Sequence, residues 1–248
     1  MRSRWIKHDS LTSTSSFLSD LLKQQDLEEG TAIITDYQDD GRGQGEHSWE
    51  SARGKNLLVS FLLYPAFLSA SRQFHLSRMA SLAICDALKT LGLDSEIKWP
   101  NDILSSRGKI AGILIEHSIT AGKISRTIAG IGLNLNQTVF PSFPVPASSV
   151  RMETGKNVDV AEVAELVETC LMSRYQALKE GKTDQLEKEY LALLYKAGVP
   201  TFFKVGKEES LGIIKGVNDF GELMLELNGD IRTFGHGSIS MKLNFHQA

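Results

Sequence analysis

KWPNDILSSRGKIAGILIE, residues 98–116, is the most informative stretch of this 248-residue chain. A short β-rich segment, Glu96–Trp99, stops at Pro100, whose ring keeps Trp99 extended. Pro100-Asn101-Asp102 then has turn chemistry, because Asn and Asp side chains bond to their own backbone. Lys109 enters the apolar run Ile110–Ile115, which predicts a buried strand. An ammonium at the mouth of such a strand is costly unless it meets an anion or reaches solvent along its apolar stem. Both readings of Lys109 stand open on these residues alone. Across Ala121-Gly122, Ile124–Asn136 predicts the partner strand. Ile131, Leu133 and Leu135 share one face, and Gly132, Asn134 and Asn136 share the other, small and polar as a site floor would be. GIGLNLN, residues 130–136, places two glycines in a strand. Either a ligand or a neighbouring backbone comes close there.

Upstream, Ser13 or Thr14 caps a helix running to Leu22, with Phe17, Leu18, Leu21 and Leu22 on one face. Thr31–Tyr37 and Asn56–Leu63 predict strands, and Leu76–Leu91 predicts a buried helix. Gln38–Lys55 between the strands is long and polar for a compact domain, as functional lids are. In it, YQDDGRGQG (37–45) sets glycines around Arg42, so that amides and a guanidinium fork can approach an anion. A flexible surface turn accounts for the same residues. The pattern is not GxGxxG and does not open a helix, so a dinucleotide turn is unsupported.

Downstream, Pro141–Ser149 is a connector. Asp159 caps a helix, with Glu162 as its capping-box partner and an apolar stripe from Val160 to Leu178. A second helix spans about Gln185–Lys196. After Gly198 the period shortens, and Thr201–Val205, Leu211–Val217, Leu223–Leu227, Ile231–Phe234 and Ser238–Lys242 predict short strands. Their turns fall at Gly206-Lys207, Asp219–Gly221, Asn228–Asp230 and His236-Gly237, a pattern that fits a small barrel of SH3-like size.

Lys plus Arg is 27 and Asp plus Glu is 30, a net −3 that lacks the positive field of a dedicated nucleic-acid binder. Cys85 and Cys170 lie in apolar helical patterns, which points to buried, reduced thiols. No apolar run is long enough for a membrane span, and Met1-Arg2-Ser3-Arg4 has no apolar stretch behind it. A cytoplasmic location is expected.

STSSFLSDLL (13–22), YQDDGRGQGEHSWESARGKNLLVS (37–60), KWPNDILSSRGKIAGILIE (98–116) and GIGLNLN (130–136), in that order, resemble the biotin protein ligases. GVNDFGELMLELNGDIRTFGHGSIS (216–240) is similar to that family's small C-terminal domain, so the likeness covers nearly the whole chain. The fold class it implies is α+β: a mixed β-sheet flanked by helices in residues 1–197, then an SH3-like β-barrel in 198–248. The activity it implies joins biotin and MgATP into biotinyl-5′-AMP and pyrophosphate. The acyl group then passes to a lysine of a biotin carboxyl carrier protein or carboxylase domain. By the resemblance, Lys109 and Arg42 are the catalytic residues. Ser13, Thr14, Ser15, Gln38, Gly41, Arg42, Lys109 and Gly112 bind biotin. Arg42, Gly43, Gln44, Trp49, Lys98, Asn101, Lys109 and Asn134 hold ATP or the adenylate, and Asp102 is the candidate for Mg²⁺.

Lipoate ligases share the catalytic fold but have a different loop signature, which has no counterpart here. A non-catalytic binding module is disfavoured by the pairing of Arg42 with Lys109. The substrate motif begins at Ser13, which leaves no room ahead of it for the winged-helix repressor domain of some relatives. A monofunctional form without DNA binding is therefore expected. The oligomeric state stays open, a homodimer included. Two departures stand out: Ser15 replaces the more usual Asn, and Gln44, Gly45, Glu46 and His47 stand where further arginines are common. Fewer lid cations hold an adenylate less firmly. Release of biotinyl-AMP without acceptor is expected to slow in Gln44→Arg; release equal to the native protein's would contradict this.

Overall fold

A computed structural model describes residues 4–45, 47–206 and 208–241. Met1–Ser3 of the N-terminal reading, Glu46 of the lid, Lys207 of a predicted turn and Lys242 of the last predicted strand lie outside them. The chain begins with β1 (Trp5–His8), α1 (Thr14–Leu21), β2 (Ala32–Thr35) and β3 (Leu57–Leu63). α2 (Phe74–Thr90), β4 (Glu96–Lys98), β5 (Asp102–Ser105), β6 (Gly108–Thr120) and β7 (Lys123–Leu133) follow. Then come α3 (Val150–Thr154), α4 (Val160–Lys179) and α5 (Thr183–Leu193). The last elements are β8 (Thr201–Val205), β9 (Glu208–Val217), β10 (Leu223–Leu227), β11 (Asp230–Phe234) and β12 (Ile239–Met241).

Seven strands form one sheet in the order β1-β2-β3-β7-β6-β5-β4. β1 runs parallel to β2 and the other pairs are antiparallel, so the sheet is mixed. β3 is buried along its whole length, and its alternation divides the domain. Leu57, Val59, Phe61 and Leu63 join the main core with α2 and α4, while Leu62 packs with Leu18 of α1. Helices therefore cover both faces, and the site develops on the face of α1. The start of α1 follows the expected chemistry: Ser13 is the N-cap, and its hydroxyl accepts from the Ser16 amide at 3.4 Å. Asp159 caps α4 in the same way, accepting from the amides of Ala161 and Glu162 at 2.7 and 3.2 Å. Cys85 is buried as expected, whereas Cys170 is only half-buried.

β8 to β12 form a second, antiparallel sheet in the order β11-β10-β9-β8-β12. This sheet is consistent with the expected SH3-like domain, and among the described residues no pairing of β11 with β12 closes it into a barrel. β9 spends residues 208–212 on β8 and 213–217 on β10, a division of one long strand that fits an SH3-like domain. Arg78 of α2, 1% exposed, pins this sheet to the helices α2 and α5. Its guanidinium donates to the carboxylates of Asp219 at 3.2 Å and Glu187 at 3.3 Å and to the Val217 carbonyl. Among the described residues no helix is long and apolar enough to cross a membrane.

His75 lies beside Arg78 in this buried cluster, with Asp219 and Arg72 nearby. Burial, and then the Arg78 charge, push its imidazole down to about 4. A free histidine titrates near about 6.5, so the neutral buried ring supports the fold above that pH. Its contribution is lost as pH falls from about 6.5 to about 4. Denaturation midpoints are expected to fall across that window and to fall less steeply in His75→Gln; an unchanged slope in the variant would contradict the assignment.

Candidate active site

The chemistry of the KWPND stretch follows from strand register. β4 and β5 form a hairpin in which Lys98 stands opposite Asp102. Lys98 Nζ lies 2.9 Å from one carboxylate oxygen of Asp102, and Lys109 Nζ lies 2.6 Å from the other. Asp102 itself is only 9% exposed. Burial pushes its carboxyl up, but the charges and hydrogen bonds of Lys109 and Lys98 outweigh that and hold it below the usual carboxylate range. Of the two readings open for Lys109, the structure shows an ammonium that meets an anion, and that anion belongs to the protein.

Each oxygen of Asp102, the residue expected to serve magnesium, is engaged by one ammonium. Among the described residues no group of three or more His, Cys, Asp or Glu side chains could hold a metal ion. Asp102 is the carboxylate that keeps two like charges together. Residues 105–108 form the tight β5–β6 turn. Glu153 of α3 fastens it: its carboxylate accepts from the hydroxyls of Ser105 and Ser106 at 2.6 and 2.8 Å and from the Arg107 amide at 3.2 Å. The Ser148 hydroxyl adds a fourth bond at 2.6 Å.

The floor is made by register too. Gly112 of β6 pairs with Gly132 of β7, and Gly130 pairs with Leu114 and with Ser60 of β3. The Trp49 indole lies flat on the Gly112–Gly132 pair, so close that a Cβ at Gly112 would be 2.8 Å from Trp49 Cζ3. A Cβ at Gly132 would overlap the ring. Lys109 Nζ sits 5.3 Å from the same ring, within cation–π range. Trp49 belongs to a hairpin lid: the Trp49 amide donates to Gly41 O at 2.6 Å, and the Gly43 amide donates to His47 O at 2.7 Å. The lid glycines thus allow strand-to-strand contact within the lid, not only approach to an anion. Arg42 is drawn away from the cations and forks onto Glu116 of β6 at 2.6 and 3.0 Å.

At the start of α1 the polar groups interlock. Gln38 Oε1 accepts from the Thr14 amide at 2.8 Å and from the Thr14 hydroxyl at 3.1 Å. Ser60 Oγ lies 2.8 Å from Thr14 Oγ1 and 2.9 Å from Ser15 Oγ. Ser13, Thr14, Ser15, Gln38, Arg42, Gly43, Gln44, Trp49, Lys98, Asn101, Asp102, Lys109, Gly112 and Asn134 all line one cavity of about 380 Å³. Gly41 is not among the lining residues and packs against the Trp49 carbonyl and Gln38 Nε2. Asn101 is occupied structurally, because its amide donates to Ile113 O at 3.0 Å. Among the described residues Gln44 Oε1, Trp49 Nε1 and Asn134 Oδ1 are buried polar atoms without a hydrogen-bond partner. Sequence reasoning missed Ser60, Glu116, Glu153 and His236. Ser60 had a signal, as the lone polar residue of LLVSFLL. His236 brings the second sheet to the cavity mouth, where burial, His47 and Lys98 lower its imidazole pKa.

A glycine-floored cavity with paired ammoniums and a hairpin lid defines a domain that handles anionic ligands. A model of the biotin/lipoate A/B protein ligase family matches residues 7–134, more than half of the chain, and the chain belongs to that family. It is 30% identical over 243 residues to the bifunctional ligase/repressor BirA of Bacillus subtilis, spanning 95% of this chain and 73% of that protein. To the biotin–[acetyl-CoA-carboxylase] ligase of Paracoccus denitrificans it is 33% identical over 226 residues, spanning 87% and 92%. The biotin protein ligase of Aquifex aeolicus, solved with biotin and ATP, shares the fold, with a TM-score of 0.79 at 24% identity over 96% of this chain and 98% of that one.

The Trp49–Gly132 contact offers a direct check on the lid. Overpacking of this kind costs about 1–3 kcal/mol, so Gly132→Ala is expected to speed tryptic cleavage at Arg42 and Arg53 roughly tenfold. Cleavage at the native rate, with the sheet intact by circular dichroism, would contradict the contact.

Proposed function

We infer that this chain is an ATP-dependent biotin protein ligase. It activates biotin as biotinyl-5′-AMP with release of pyrophosphate, then transfers the biotinyl group to a lysine of a biotin carboxyl carrier protein or carrier domain. One observation supports the reading above the rest: a single cavity brings together the hydroxyl and amide groups of Ser13, Thr14, Ser15 and Gln38 and the cations Lys98 and Lys109. The first set suits a polar, uncharged ring, and the second suits a carboxylate meeting a triphosphate.

In the first step a biotin carboxylate oxygen attacks the α-phosphorus, and the bond to the β-phosphate oxygen breaks. Two anions must approach, so fixed cations in a poorly hydrated cavity supply most of the stabilisation. Lys109 serves the carboxylate and α-phosphate, and Lys98 the phosphates. Arg42 joins them by exchanging Glu116 for phosphate oxygen. Trp49 on its flat floor and Asn134 serve the adenine side, with Gly41, Gly43 and Gln44 closing above and the Gly112 backbone beneath. Magnesium enters as part of MgATP, held through phosphate oxygens and water in place of a protein cage. In the second step the acceptor amine, having lost a proton, attacks the acyl carbon. The C–O bond to phosphate breaks, and AMP leaves.

ATP–pyrophosphate exchange with biotin, with lipoate and with neither acid tests the reading. Exchange is expected with biotin alone. Exchange with lipoate in its place would overturn the substrate, and none from folded protein with magnesium would overturn the activity. Charge-assisted contacts are worth about 1.5–3 kcal/mol each. Lys109→Ala is therefore expected to lower exchange at least about tenfold, with little change in melting temperature because Asp102 keeps Lys98; loss of folding would contradict this role.

A further inference from the structure

Hydrogen bonds near the start of α1 have a direction that a single N–H fixes. The Thr14 amide can only donate, so the Gln38 atom 2.8 Å away is its carbonyl oxygen. That oxygen also receives the Thr14 hydroxyl at 3.1 Å, which uses the one proton Thr14 Oγ1 has. Ser60 Oγ, 2.8 Å from Thr14 Oγ1, must then donate to it. With the Ser60 proton spent, Ser15 Oγ at 2.9 Å must donate to Ser60. The chain of protons therefore runs Ser15 to Ser60 to Thr14 to Gln38. Gly130 leaves space for it, since a Cβ there would be 2.6 Å from Ser15 Oγ.

Two consequences reach the cavity. Ser15 Oγ keeps lone pairs and has no proton to offer, so it presents an acceptor. Gln38 keeps both protons of its amide nitrogen, so it presents a donor. Ser15 and Gln38 line the cavity, whereas Ser60 is 0% exposed and lies behind the wall. We propose that Ser60 is a specificity-determining residue: it fixes the proton order of the wall and thereby selects a ligand head that carries an N–H beside a carbonyl. A cyclic urea offers that pair, with N–H to Ser15 and carbonyl to Gln38. A dithiolane ring offers neither. Ser60 acts through Ser15 and Thr14 and is a positioning residue. The inference rests on the biotin reading of the cavity and adds the residue that enforces it.

The test is ATP–pyrophosphate exchange with biotin and with the two cyclic carbamate isomers in which one ring N–H is replaced by oxygen. A wall whose acceptor is left unmet rejects a ligand strongly. The native protein is expected to prefer biotin over at least one isomer by about tenfold or more. In Ser60→Ala the Ser15 proton is released, so Ser15 can donate to the ring oxygen. The preference is then expected to shrink to about threefold or less, with KM for MgATP unchanged. Ser60→Cys fills the same space with a weak donor and is expected to follow Ser60→Ala, which separates proton order from packing. A native-like preference in both variants, at native melting temperature, would overturn the role of Ser60 while leaving the ligase reading in place. No exchange with biotin in the native protein would overturn the ligase reading itself.

Discussion

A single buried carboxylate, Asp102, holds two ammoniums within hydrogen-bonding distance. Two cations this near one another in a half-buried cavity would repel strongly, because the surroundings screen less than water. The hairpin of β4 and β5 solves this by register, setting Lys98 directly across from Asp102, while β6 delivers Lys109 from the other side. Glu153 secures the turn between β5 and β6, so the backbone that carries Lys109 does not drift. Arg42 is held by the same device, a carboxylate of the sheet, though nearer to solvent. Lys98 and Lys109 are thus placed before any external anion arrives, which is the preorganisation that electrostatic catalysis requires.

Flatness is the second constraint. Glycines on β6 and β7 remove the side chains that would lift Trp49 off the sheet, and Trp49 is continuous with the hairpin that contains Arg42. Floor, lid and Lys109 are therefore in direct contact through Trp49. A third glycine, Gly130, makes room for the hydroxyl chain beside α1. The second sheet is coupled to the same region: Trp99 of the KWPND turn donates its indole N–H to Gly221 O at 2.9 Å. His236 lines the cavity from that side.

Much of this was legible in the residues. β8 and β10 begin and end where the alternation of Thr201–Val205 and Leu223–Leu227 places them, and Ser13 and Asp159 cap their helices. β1 escaped notice because Trp5–His8 is four residues of mixed polarity whose strand character comes from pairing with β2. β5 escaped because Asn101-Asp102 has turn chemistry, and only the ladder to β6 extends it into a strand. The positioning residues were the hardest to see. Glu116 is 74 positions from Arg42, and Ser60 is 45 positions from Ser15, so no local spacing links either pair. The pairing of Asp102 with two ammoniums was not legible, since it depends on how β4, β5 and β6 align.

The measurement closest to the core of this picture is ATP–pyrophosphate exchange by Asp102→Asn over a range of magnesium concentrations. If Asp102 exists to hold Lys98 and Lys109, exchange falls at least about tenfold, as for loss of one charge-assisted bond, and added magnesium does not restore it. Recovery of native exchange at high magnesium would contradict the ion triad and make Asp102 a metal ligand after all.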